Sequence, residues 1–122
     1  MRDDLRRRMM NSFRKYSRLG LASEKLDVFD AYERIRGCCR NKREARELLA
    51  VYDTVRFLRL SGNVESLRAL RSIYFSLSGR TVRKNEISQR IQRFAYENHC
   101  DERTVYRRLS YAVRVYRMML GE

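Results

Sequence analysis

Apolar positions along this chain recur every three or four residues and seldom every second one. Leu5, Met9, Phe13 and Tyr16 are separated by four, four and three. Such spacing lays one stripe along an α-helix, which turns once in 3.6 residues. Gly20 follows the stripe and predicts the helix end, since glycine accepts the left-handed cap at no steric cost. The segment 1–22 is also basic. It reads either as a helix packed on the body or as an arm that touches phosphate or lipid, and its periodicity favours packing.

Four further helices follow from the same logic, and a fifth closes the chain. Ser23 is placed to cap a helix over 24–38 with Val28, Tyr32, Ile35 and Cys39 on one face. Gly37 lies near its end, and Cys38 and Cys39 read as small buried hydrophobes. Asn41 and Glu44 form a variant capping box before a helix over 42–60. Ala45, Leu48, Leu49, Tyr52, Val55 and Leu58 make its inward stripe. Asn63 caps a helix over 64–77 carrying Leu67, Leu70, Tyr74 and Leu77, and Ser78-Gly79 stops it. A helix over 84–97 turns Ile87, Ile91, Phe94 and Ala95 inward. After a turn at 98–100, Asp101 caps a helix over 102–120 with Val105, Leu109, Ala112, Val113, Tyr116 and Leu120 in line.

Composition agrees with this reading. There is no proline among the 122 residues and there are five glycines, which permits long helices. No strand pattern, internal repeat or linker competes. The expected fold is all-α: a compact multi-helix domain with a C-terminal helix-turn-helix. Residues 1–64 would form a basic helix and a helical hairpin, and 65–122 the helix-turn-helix region, sharing one core.

Charge then narrows the function. Lys and Arg total 28 against 15 Asp and Glu, a net +13. Most of the cations are arginine, whose planar fork of donors fits phosphates and guanine edges. A field of this sign favours polyanions and weakens with salt. No run of about 18 apolar residues could span a bilayer, and no apolar stretch follows the basic start as in a signal peptide. The expected location is the cytoplasm, with no membrane partner. Cys38, Cys39 and Cys100 are odd in number and lack Cys-x-x-Cys spacing, which predicts reduced thiols.

Enzymatic chemistry finds no support in the residues. His99 is the one histidine, so no His pair exists for metal or proton relay. No glycine-rich phosphate loop or Gly-x-Ser-x-Gly is present, and Cys100 beside His99 on a turn does not make a nucleophile pair. No catalytic residue, cofactor or metal ligand is expected.

The most informative stretch is 94–112. A helix-turn-helix needs a small residue where its helices cross, an inward apolar residue in the turn, and a second helix anchored by two apolar residues a turn apart. Ala95, Cys100, Val105 and Leu109 meet those needs in order. The free face of the last helix would be Glu102, Arg103, Tyr106 and Arg107, with Arg108 beside it. Arg103 and Arg107 at i and i+4 point one way. Each suits a bidentate contact to guanine or a phosphate contact. Thr104 is placed for a phosphate, and Arg80, Arg83 and Lys84 for clamping the DNA backbone.

The run Phe94-Ala95, Cys100-Asp101, Thr104-Val105, Arg107-Arg108-Leu109 and Ala112 resembles the helix-turn-helix of sigma-factor region 4. It is also similar to phage transcriptional regulators of the autolysin-regulator type, and Leu70 to Phe75 is similar to the helix that precedes the motif there. The resemblance covers about 65–120, roughly half of a chain of one-domain length. It implies that Glu102, Arg103, Tyr106 and Arg107 face DNA. Where that family carries a glycine in the turn, this chain has His99, so the resemblance implies a positive φ there.

The leading expectation is a sequence-specific DNA-binding transcriptional regulator, of phage or mobile-element type, with double-stranded DNA as its partner. The alternative is a basic helical interaction module or inhibitor that binds RNA polymerase or a nucleic-acid enzyme. An RNA binder is a third class, but most of the tyrosines and phenylalanines fall on inward stripes. A lipid surface held by residues 1–18 is the weakest idea. A homodimer stays open, with Tyr111, Val115, Met118 and Met119 of the last helix as its candidate face.

Overall fold

A computed structural model describes residues 2–21, 27–75 and 85–121, with side chains from residue 7 onward in the first stretch. The described residues form six helices and no strand: α1 (Arg2–Arg18), α2 (Val28–Cys38), α3 (Lys42–Leu60), α4 (Val64–Ile73), α5 (Glu86–Glu97) and α6 (Glu102–Leu120). The fold is all-α. None of these helices is long and apolar enough to cross a membrane.

Local sequence accounts for most of the helix ends. Asn41 accepts the Glu44 N–H at 2.8 Å and starts α3, and Asp101 accepts the Thr104 N–H at 2.7 Å and starts α6. Each satisfies a backbone donor that the first turn leaves orphaned. α1 ends on Gly20 at φ 75, with the Leu21 N–H reaching back to the Tyr16 carbonyl. That cap folds Leu21 into the core, where it is fully buried. Gly62 closes α3 in the same way.

Several boundaries depart from the sequence-based expectation. α2 begins at Val28 on an Asp27 cap, which accepts the Asp30 N–H at 2.8 Å. Ser23, the expected cap, lies outside the described residues. Asn63 does not cap α4; its side chain donates to the Ser61 hydroxyl at 2.7 Å instead. α4 ends at Ile73, and the expected stop at Ser78-Gly79 is outside the described residues. Cys38, the last residue of α2, is exposed rather than buried. Cys39 is half-buried, and burial pushes its thiol above the usual range, away from the thiolate.

α6 is the hub: α1, α3, α4 and α5 all pack against it. Phe13 of α1 centres an aromatic cluster, with Tyr74 at 6.1 Å, Phe75 at 5.4 Å and Tyr116 at 5.8 Å. Beside it the buried Tyr116 hydroxyl donates to Ser12 Oγ at 3.0 Å. The pair satisfies two groups that would be costly to bury alone. α1 is therefore a packed helix, with Met9, Phe13 and Tyr16 buried. One cluster of buried residues draws on all six helices. Val115 belongs to that cluster, and Tyr111 and Met119 pack against it. Of the four residues expected to form a dimer face, Met118 alone is left exposed.

Candidate nucleic-acid interface

The corner between α5 and α6 is built from backbone hydrogen bonds. The Cys100 N–H donates to the Ala95 carbonyl at 3.0 Å, and the His99 N–H to the Tyr96 carbonyl at 3.3 Å. These two bonds are the paired closure of a helix whose next residue is left-handed. His99 is that residue, at φ 53. The Asn98 side chain adds a bond to the Phe94 carbonyl at 2.8 Å. Cys100 turns inward against the core, and Asp101 then opens α6. The corner has the positive φ that the resemblance implied at His99.

The capping carboxylate also senses what lies beside it. Asp101 is held below the usual carboxylate range by the Thr104 backbone N–H, then by the Thr104 side chain and the fields of Arg103 and Arg107. Thr104 itself is half-buried in the first turn of α6. The ionised Asp101 in turn favours the positive end of the helix.

Val105 is fully buried and Leu109 nearly so, and they pin the first two turns of α6 to the body. Arg103 and Arg107, a turn apart on the opposite side, are exposed, as is Glu102. Arg108 is placed differently from expectation. It is half-buried and pairs with Glu65 of α4 at 3.5 Å, which ties α6 to α4. Tyr106 is 38% exposed and leans into a cleft of about 230 Å³. Arg7 and Met10 of α1, Ile87 and Ile91 of α5, and Ser110 and Val113 of α6 line the same cleft. The basic first helix therefore reaches the flank of the α6 surface. Arg80, Arg83 and Lys84 lie outside the described residues.

Reasoning from the sequence missed the outer face of α5. Gln89, Gln92, Arg93 and Tyr96 are exposed there, opposite Ile91, Phe94 and Ala95. Their spacing of three, one and three is the polar complement of the apolar stripe, so the signal was present. Tyr96 is 84% exposed. Tyr96 and Tyr106 are the two tyrosines classed as exposed among the described residues, and both flank this corner. Arg93, Arg103 and Arg107 form no ion pair with a carboxylate among the described residues. The described residues hold no cluster of three or more His, Cys, Asp or Glu that could bind a metal. No protein-family profile, curated protein or solved structure matches the chain.

Proposed function

We propose that this protein is a sequence-specific regulator of transcription that binds duplex DNA through α5 and α6. One observation carries the reading: α6 buries Val105 and Leu109 while exposing Arg103 and Arg107 a turn apart, directly after a tight corner. A second helix anchored in this way enters a major groove with its first turns against base edges. Two arginines spaced by one turn suit guanine O6 and N7, each worth roughly 1–3 kcal/mol of discrimination. The outer face of α5, with Gln89, Gln92, Arg93 and Tyr96, fits the first helix of such a motif, which crosses the backbone. The net charge of +13 supplies the attraction common to all sequences. The likeness of 94–112 to sigma-factor region 4 supports the same assignment of roles.

Selection of duplexes from a random pool, at stated salt, tests the proposal. The expected outcome is one enriched sequence for the native protein. Arg103→Ala with Arg107→Ala should lose that preference by roughly tenfold or more per contact while keeping the helical content of the fold. Enrichment of the same sequence by the double variant would remove α6 as the reader.

A second reading has its own observation. Leu60 at 72% and Val64 at 54% exposure stand together at the corner between α3 and α4. Two large apolar side chains left to water at one corner are the feature on which a protein contact would rest. RNA polymerase is the partner this reading names. Binding of purified polymerase without DNA, lost in Leu60→Asp, would favour it.

A further inference from the structure

The exposed arginines of α6 continue past the two that are proposed to read bases. Arg103, Arg107, Arg114 and Arg117 are all exposed. At about 100° per residue they fall within a sector of roughly 80°, on the side of the helix away from Val105, Leu109, Ala112 and Tyr116. The one other residue of 103–117 within that sector is Ser110. From Arg103 to Arg117 the row runs about 21 Å at 1.5 Å per residue. None of the four pairs with a carboxylate among the described residues. Like charges at these i,i+3 and i,i+4 spacings repel and weaken a helix. A row with no interleaved acid is therefore better explained by a polyanion on it than by helix stability.

We infer that α6 is a single groove-lying helix with divided labour, in which Arg114 and Arg117 hold backbone phosphates of the duplex whose bases Arg103 and Arg107 read. This rests on the proposed function and adds to it. The major groove is about 12 Å wide and winds around the duplex, so a straight helix seated by its first turns leaves the groove floor farther along. Its later side chains then meet the sugar-phosphate wall, as the C-terminal end of the homeodomain reading helix does. Arg114 is held ready: its guanidinium lies over the Tyr111 ring, 5.7 Å from the centroid. That cation–π contact favours one placement of the side chain before binding.

The experiment measures dissociation constants of the full chain for its selected duplex and for an unrelated duplex across a series of salt concentrations. Arg114→Ala with Arg117→Ala should weaken both duplexes by the same factor and lower the slope of log affinity against log salt by about 2, near 0.9 per phosphate. The ratio between the two duplexes should stay at its native value. Arg114→Lys with Arg117→Lys should restore the slope, since lysine also neutralises a phosphate. Arg103→Ala with Arg107→Ala should instead collapse the ratio. An unchanged slope in the Ala variant, with native binding intact, overturns the phosphate role. Weakening of the selected duplex alone makes these residues base contacts and overturns it as well. A native protein that binds neither duplex, or binds single-stranded RNA in preference, removes the DNA reading itself.

Discussion

His99 is the residue on which the corner turns. A non-glycine side chain at φ 53 brings its Cβ against the following carbonyl, at roughly 1–2 kcal/mol. Histidine is among the residues that tolerate this better, and the paired bonds to Ala95 and Tyr96 hold it there. His99→Gly should therefore raise stability by roughly 1 kcal/mol in denaturant unfolding, whereas the β-branched His99→Val should lower it by a similar amount or more. Equal stability of the two variants would mean that the left-handed corner is not maintained in solution. Asp101, two residues on, gives the corner a pH dependence of known sign. Its carboxyl is depressed in the folded chain by the Thr104 backbone N–H first. A depressed acid adds stability above its unfolded value, about 3.9, and loses it as pH falls through the folded value. Asp101→Asn keeps an N-cap acceptor and removes this titration. The native protein should melt above the variant at neutral pH, and the gap should close on acidification into that range.

At the scale of elements, α3 and α6 follow directly from their apolar stripes and capping residues, because both signals are local. Asn41 and Asp101 cap where the sequence placed them. The ends of α2 and α4 were less legible, because alternative caps compete within a few residues. Asp27 starts α2, and Asn63 uses its side chain on Ser61 rather than on α4. Leu21 carried no periodic signal; it is buried by the cap at Gly20, a backbone event that a helical stripe does not encode. The same division holds for the candidate site. Arg103 and Arg107 were legible because an apolar stripe fixes its opposite face. Arg108 was not, since its neighbour Glu65 is 43 positions away in the chain and meets it only through the packing of α4 on α6. The arginine row of α6 shows both effects together: its phase is readable from 3.6 residues per turn, and its exposure depends on which helices pack around α6.

For the whole molecule, the decisive feature is that α6 is held from behind by an aromatic cluster at the other end of the sequence. Phe13 is fully buried and lies within 6.1 Å, ring to ring, of Tyr74, Phe75 and Tyr116. Removing a buried phenylalanine leaves a cavity and costs about 3–5 kcal/mol. That is a large share of the 5–15 kcal/mol by which domains are usually stable. If α1 were a detachable basic arm, Phe13→Ala would fray α1 and leave the unfolding midpoint of α3 to α6 in place. Because Phe13 and Ser12 both bear on Tyr116 of α6, the expected result is one cooperative transition whose midpoint drops throughout. Fluorescence of the tyrosines and far-ultraviolet circular dichroism should report that drop together. Binding separates this effect from a direct contact. At a temperature where the variant is still folded, its affinity for the selected duplex and its salt slope should match the native protein, since Phe13 reaches no solvent. A variant that stays fully folded yet loses the slope would mean that α1 acts on DNA through its own cations, with Arg7 at the cleft beside Tyr106 the first to examine.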